Sequence, residues 1–131
     1  MTGRLCLILK RNKVMKILIG CEESQAVCKT FRELGHEAYS CDLKPCSGGH
    51  PEWHLQMDVF EAIKLKDWDM GVFFPDCTYL TISANKWYKD QPERKSGTLV
   101  GQARREAREK AIIFFMSLHN SGIPKIAIEN P

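Results

Sequence analysis

The stretch that decides the fold reads WDMGVFFPDCTYLT and spans residues 68–81. Its apolar run, Met70 to Phe74, has the length of a buried strand and stops at Pro75, which has no backbone N–H for a sheet. Cys77 follows the carboxyl end of that strand, where open α/β sheets bind their ligands, so it is the first candidate for chemistry. For an isolated cysteine, a half-buried thiol in a turn would be the simpler interpretation. Whether Cys77 has a chemical role therefore depends on the motifs in the rest of the chain.

Strand-like and helix-like patterns alternate on both sides of this stretch, which predicts an α/β fold with a parallel sheet flanked by helices. Ser24 is a good N-cap for the first helix, and Gly35 ends it. The predicted elements are a strand at 16–20, a helix at about 24–34, a strand at 37–41, a strand-like piece at 55–59, a helix-like run through 63–65, a strand at 70–74, a helix at 102–120 and a strand at 125–128.

The turn after the first strand, Gly20-Cys21-Glu22-Glu23, is where such folds bind a cofactor. It lacks the glycines of a pyrophosphate-binding loop, and its two glutamates would repel a phosphate at the helix N-terminus. S-adenosylmethionine carries a sulfonium and an ammonium group and suits these acids better. The alternative is that both glutamates are solvated and stabilise the helix dipole.

Two further acids end predicted strands. Asp42 lies about twenty residues after the first turn, where a carboxylate commonly accepts hydrogen bonds from a ribose. Asp58 could accept from an adenine amino group, or it could cap the helix that follows, and the spacing fits both roles equally.

The loop between these acids could suggest zinc through its C-x3-H-x3-H ending. Structural zinc sites usually show tight paired spacings, and the Gly48-Gly49 turn separates these candidates, so we predict no metal site. The residues concerned are Cys41, Cys46, His50 and His54, and the last of these is as easily a loop-packing residue, like Trp53.

A long polar stretch, 79–100, follows the cysteine, and loops of this length are usually functional or disordered. Basic and aromatic residues alternate at Lys86, Trp87, Tyr88 and Lys89, a combination that suits phosphates and unstacked bases. This pattern favours DNA or another nucleic acid as a partner. A solvated helix face explains three nearby cations equally well, namely Arg104, Arg105 and Arg108.

Composition limits the class of protein. A chain of 131 residues with 44% hydrophobic and 27% charged residues is typical of one soluble domain. No apolar run reaches the length of a membrane span and no secretion leader opens the chain, so we expect a cytosolic protein with reduced thiols. Residues 1–14 hold four basic residues and no acid, and Met15 precedes the first strand directly. We interpret 1–14 as a basic extension before a domain at 15–131, although Leu5 to Leu9 could add an edge strand.

The last predicted strand ends in Glu129-Asn130-Pro131. A carboxylate at the end of the strand beside the one that bears Cys77 could face the same cleft. This places a nucleophile and an acid, Cys77 and Glu129, within one predicted site.

In this order of motifs the chain resembles the amino-terminal half of a DNA cytosine-C5 methyltransferase, a Rossmann-like fold. The resemblance implies that the thiolate of Cys77 adds to C6 of cytosine, that Glu129 holds the ring at N3, and that S-adenosylmethionine donates the methyl group. More closely, the chain is similar to small methyltransferase-like proteins of phages and prophages, through the runs GCEESQAVC, CDLKPCSGGHPEWH, CTYLT and IENP. The cofactor contacts that the resemblance implies are Gly20, Glu22, Asp42 and Asp58.

Three departures from the family pattern predict little or no activity from the chain alone. Asp76 stands where the family has proline before the cysteine, and a carboxylate beside a thiol opposes thiolate formation. The cofactor turn lacks the family's glycines, and the sequence ends at Pro131, before the family's arginine-bearing motif and target-recognition region. Two hypotheses therefore stay open. One is an incomplete methyltransferase-like domain completed by a second copy or a partner, in a bacterium or a phage-infected cell. The other is a catalytically silent protein of phage type that binds a protein or a nucleic acid.

Overall fold

Five parallel strands form the centre of the computed structural model, which describes residues 13–130. The part of the chain so described also contains three α-helices and two 3₁₀-helices. The strands are β1 (Lys16–Gly20), β2 (Glu37–Asp42), β3 (His54–Gln56), β4 (Met70–Phe73) and β5 (Lys125–Ile128), the α-helices are α1 (Ala26–Glu33), α2 (Val59–Leu65) and α3 (Gly101–His119), and the 3₁₀-helices are Pro51–Trp53 and Ile82–Tyr88.

The strands lie in the order β3-β2-β1-β4-β5, which is compatible with a Rossmann-like fold. The chain moves outward from β1 to β3 and then returns to the other side of β1 to form β4. The direction of winding therefore reverses between β1 and β4. In open α/β sheets the carboxyl edge at such a reversal is where ligands bind.

Helices cover both faces of the sheet, and β1 is apolar on both sides for this reason. Ile17 and Ile19 are fully buried in one cluster with Cys28 of α1. Leu18 faces the other way, into a cluster with Ala62 of α2 and Leu118 of α3. The predicted parallel sheet with helices on its faces is thus confirmed.

The bounds of most elements agree with the predictions to within two residues, and the end of β3 differs more. β3 begins at His54 and already ends at Gln56, because Asp58 is the N-cap of α2. The prediction that Ser24 caps the first helix is wrong. The N-cap position is Gln25, whose fully buried side chain bonds to Ser40 and to the backbone of His50 and so fixes the helix start one residue later.

The helix α3 agrees with the prediction to one residue at each end, but its buried face is different. Arg104 is only 4% exposed, whereas Ala103 is exposed. The solvated-face explanation of Arg104 is therefore wrong. Aromatic rings from the stretch before the helix cover this arginine, and such a long-range contact leaves no trace in the periodicity of α3 itself.

The extension at 1–14 and the alternative edge strand at Leu5 to Leu9 fall, apart from Lys13 and Val14, outside the described residues. All five cysteines that the structure describes are free thiols. None of the helices in the described range is long and apolar enough to cross a membrane.

We expect Gly71→Ala to lower the free energy of unfolding by about 1–3 kcal/mol, the usual cost of overpacking. A Cβ added at Gly71 would lie 2.7 Å from the ring of Phe73 and 3.1 Å from Cδ1 of Ile123. Urea unfolding measures the change. Ala127→Val, at an exposed position of the neighbouring β5, should change the value by less than about 0.5 kcal/mol. Equal stability of the two variants would contradict the packing described for β4.

Candidate functional site

A cleft of about 520 Å³ opens at the carboxyl edge of the sheet, beside the reversal between β1 and β4. Asp42 ends β2 in its wall, and Cys21 follows β1 at its base. Phe74 and Asp76 enter it from the segment after β4, and Phe114 of α3 faces them. Four separate elements thus supply its lining.

A smaller cavity of about 120 Å³ adjoins this cleft and shares Cys21, Asp42 and Phe114 with it. Apart from those three residues and Asp58, its wall is apolar. The remaining lining residues are Cys41, Leu43, Met57 and Val59.

Glu22 turns inward from the cofactor turn and closes the N-terminus of α1. Its side chain is 7% exposed, and its carboxylate accepts hydrogen bonds from the backbone N–H of Val27 at 2.8 Å and of Cys28 at 3.2 Å. A carboxylate at this place satisfies free N–H groups and the positive end of the helix dipole. The helix terminus is therefore filled by the protein itself, and a phosphate has no room to bind there.

The sequence pointed to Glu22 as a contact for a cationic ligand, and the structure gives its carboxylate a structural task instead. The helix-dipole part of the alternative holds for this residue, but its carboxylate is buried and not solvated. Glu23 is half-buried, and its backbone carbonyl accepts from the N–H of Ser47 at 2.9 Å, which ties the turn to the loop after β2.

Asp42 and Asp58 each present a carboxylate to the adjoining cavities. Oδ1 of Asp42 accepts from the N–H of Lys44 at 2.9 Å, and Oδ1 of Asp58 accepts from the N–H of Phe60 at 2.8 Å as the N-cap of α2. Among the described residues, no group bonds to Oδ2 of either aspartate. The capping role of Asp58 is thus confirmed, and its second oxygen is left for a ligand.

Gly20 ends β1 at a position where only a glycine fits. A Cβ added there would lie 2.8 Å from Cγ2 of Val59 and 2.9 Å from Cε1 of Phe73. The close packing of β1 against these two side chains therefore explains this glycine, which the resemblance had assigned to the cofactor.

Cys21 lies at the base of the cleft, and the sequence analysis did not select it. Its backbone adopts the left-handed conformation with φ 59°, which is unusual for a residue other than glycine. Burial, followed by the negative charges of Asp42 and Asp58, raises the pKa of its thiol to about 11. The thiol is thus neutral at physiological pH; burial is the main cause of its raised pKa, and the carboxylates of Asp42 and Asp58 add a negative potential at the sulfur.

Cys77 and Glu129 lie along the same edge of the sheet. Phe73 and Ile128 pair in register on the neighbouring strands β4 and β5, and the N–H of Glu129 donates to the carbonyl of Phe73 at 3.0 Å. Glu129 is exposed, and Cys77 is half-buried in the segment that follows β4. The structure thus brings the predicted pair to the same edge of the sheet, but neither residue is among those that line the cleft.

Asp76, beside the candidate nucleophile, lies in the wall of the cleft and is folded back on its own turn. Its Oδ1 accepts from the N–H of Thr78 at 2.9 Å and from the hydroxyl of Thr78 at 2.6 Å. The hydroxyl, followed by the N–H, lowers the pKa of this carboxyl below its usual value. A fixed negative charge thus adjoins Cys77.

The basic and aromatic run at 86–89 is only partly at the surface. Lys86 and Lys89 are exposed, and half-buried Trp87 lies between Lys86, at 4.7 Å from its ring centre, and Arg94, at 4.0 Å. Tyr88 is 8% exposed, and its hydroxyl donates to the carbonyl of Tyr79 at 2.9 Å. Tyr88 therefore cannot serve as an exposed stacking surface for a base.

The cysteines and histidines that could suggest zinc do not come together as a set of metal ligands. Within residues 13–130, no group of three or more His, Cys, Asp or Glu side chains is placed to hold a metal ion. His54 uses both ring nitrogens, towards Oγ of Ser40 at 2.8 Å and the carbonyl of Lys44 at 2.9 Å. His50 stacks on Trp53 with ring centres 3.9 Å apart. These side chains hold the loop after β2 in place.

Comparisons with protein-family models, with curated proteins and with solved structures gave no match to this chain. The proposals below follow from its residues, its topology and the geometry of the cleft.

We expect Asp42→Asn to increase the rate at which iodoacetamide alkylates Cys21 at pH 8. A raised pKa keeps the thiolate fraction small, and removing one of the nearby negative charges lowers that pKa and so increases the fraction. Mass spectrometry of the labelled peptides gives the rate. Asp67→Asn, at an exposed acid outside the cleft lining, is the control and should leave the rate unchanged. Equal rates in wild type and Asp42→Asn would refute the negative potential assigned to the cleft.

Proposed function

We propose that the cleft binds S-adenosylmethionine and that the chain is a methyltransferase-like protein of the DNA cytosine-C5 type. One observation carries the proposal: the helix N-terminus at the cleft is closed by Glu22, while Asp42 and Asp58 present carboxylates to it. Such a site disfavours phosphates and favours a nucleoside that carries positive charge.

The cleft and its adjoining apolar cavity together offer a place for each part of this cofactor. A volume of about 520 Å³ lies within the usual range for small-molecule sites. Asp42, at the end of β2, would accept hydrogen bonds from the ribose hydroxyls, as strand-end acids do in Rossmann-like folds. The apolar cavity of about 120 Å³ would take the adenine ring beside Phe114, with Oδ2 of Asp58 accepting from its amino group. The carboxylates of Asp42 and Asp58, which line the same cavity as Cys21, favour the sulfonium.

The family resemblance supplies the proposed chemistry. The thiolate of Cys77 would add to C6 of a cytosine removed from its stack, Glu129 would hold the ring at N3, and the bound cofactor would supply the methyl group. The shared sheet edge of β4 and β5 supports this assignment. The fixed charge of Asp76 beside Cys77 disfavours the thiolate, so we propose weak activity for the chain by itself.

Isothermal calorimetry with S-adenosylmethionine tests the cofactor proposal. We expect binding to wild type and a roughly tenfold weaker affinity for Asp42→Asn, because hydrogen bonds to a charged group contribute about 1.5–3 kcal/mol. The control Asp67→Asn, with the same loss of charge, should bind as wild type does. NAD and ATP should give no heat of binding. Tight binding of ATP, or unchanged affinity in Asp42→Asn, would show that the ligand class or the site is wrong.

For the chemistry, we expect little or no transfer of label from tritiated S-adenosylmethionine to duplex DNA.

In a separate alkylation experiment with iodoacetamide, Asp76→Pro should increase the alkylation rate of Cys77 by removing the adjacent charge. The variant Cys77→Ser identifies the labelled peptide. Equal alkylation rates would remove Asp76 as the cause of low activity. Cofactor binding without any transfer would favour the catalytically silent hypothesis, and robust Cys77-dependent methylation by the unmodified chain would contradict the expected weak activity.

A further inference from the structure

Arg104 of α3 is a buried cation for which the cofactor site gives no reason. It is 4% exposed, and its guanidinium lies 5.2 Å from the ring centre of Tyr79 and 5.0 Å from that of Tyr88. Its Nη1 donates to the carbonyl of Leu99 at 3.1 Å, but its Nε has no partner. Among the described residues, no carboxylate forms an ion pair with it. A buried charge without a counter-ion is costly, and an anionic ligand would supply one.

Arg108 lies one turn further along the same face of α3 and is also without an anion. Its guanidinium is 4.2 Å from the ring centre of Tyr88, and it donates no hydrogen bond to any described residue. Arg105, between the two, is different. It donates to the carbonyl of Tyr88 at 2.6 Å and to Oδ1 of Asp90 at 2.9 Å, so its charge is already paired.

These two arginines adjoin the rim of the large cleft. Tyr79, which covers Arg104, also lines the cleft, and so does Ala111, one turn after Arg108. The half-buried side chain of Arg108 is fixed by stacking on Tyr88, so its planar N–H groups are held in position for an acceptor.

We propose that Arg108, backed by the buried charge of Arg104, binds a phosphodiester group of a nucleic acid at the rim of the cleft. The guanidinium fork matches two phosphate oxygens. Lys86, Lys89 and Arg94 are further exposed cations on the segment between Tyr79 and α3, and a polyanion can contact several such charges where a single inorganic phosphate cannot. The assignment rests on the proposed function, and it names a substrate contact on α3 in addition to the run at 86–89.

Fluorescence polarisation with a labelled single-stranded oligonucleotide of about 12 nucleotides tests the inference without the cofactor. Each phosphate contact to a single strand adds about 0.7 to the slope of log affinity against log salt concentration. We expect Arg108→Gln to reduce the slope by about that amount. Lys110→Gln, on the exposed part of the same helix, removes the same charge and should leave the slope at the wild-type value.

Three results would overturn the inference: no binding of the oligonucleotide by wild type, equal slopes for Arg108→Gln and Lys110→Gln, or Arg108-dependent stabilisation by inorganic phosphate without oligonucleotide binding. Arg104→Gln serves as a second variant only if its melting temperature shows that it folds.

Calorimetry of Arg108→Gln with S-adenosylmethionine separates the two proposals. Wild-type affinity there, with an altered salt slope, supports both. Absence of cofactor binding in every variant, with the slope still dependent on Arg108, would reject the cofactor proposal and leave the phosphate contact in place.

Discussion

The proposed cofactor site depends on the hydrogen bonds from the first turn of α1 to the carboxylate of Glu22. In many α/β proteins the N-terminus of the first helix is open and receives a phosphate. Here the protein fills that place itself, and the turn adapts to it with left-handed backbone at Cys21 and Gln25. Within the described part of the chain, the charged residues that line the cleft and its adjoining cavity are three acids, Asp42, Asp58 and Asp76, and one cation, Lys44. The ligand class that we propose rests on this replacement of a phosphate site by carboxylates.

The same turn also holds the loop after β2, which forms another part of the cleft wall, in place. The buried amide of Gln25 bonds to the backbone of His50, and Gly48 packs so closely on Gln25 that a Cβ would lie 2.6 Å from Cβ of that residue. The loop after β2 is thereby held against the turn, with the N–H of Lys44 bonded to Asp42. In this way two of the residues that first suggested zinc, His50 and His54, help to position the proposed ribose partner.

The sequence predicted the sheet well because β1, β4 and β5 are short apolar runs and because Gly20, Asp42 and Pro75 mark the ends of strands. Such signals are local and do not depend on distant contacts. It also placed Asp42, Cys77 and Glu129 at one edge, since parallel strands leave their carboxyl ends together. The sequence could not predict the direction of the Glu22 side chain, because the spacing of two glutamates does not show which one turns inward. The burial of Tyr88 and Arg104 was equally hidden, since it depends on the stretch 79–88 packing against α3, far along the chain. Two tyrosines followed by arginines one helical turn apart are the signal that could have indicated this contact.

The most direct test of the account is a crystal structure of the protein with S-adenosylmethionine. The account predicts the ribose hydroxyls within hydrogen-bond distance of Asp42 and the adenine ring beside Phe114, in the cavity that Asp58 lines. It also predicts that the carboxylate of Glu22 remains bonded to the N–H groups of Val27 and Cys28. A cofactor bound at the opposite edge of the sheet, or one whose carboxylate has displaced Glu22 from the helix N-terminus, would contradict it.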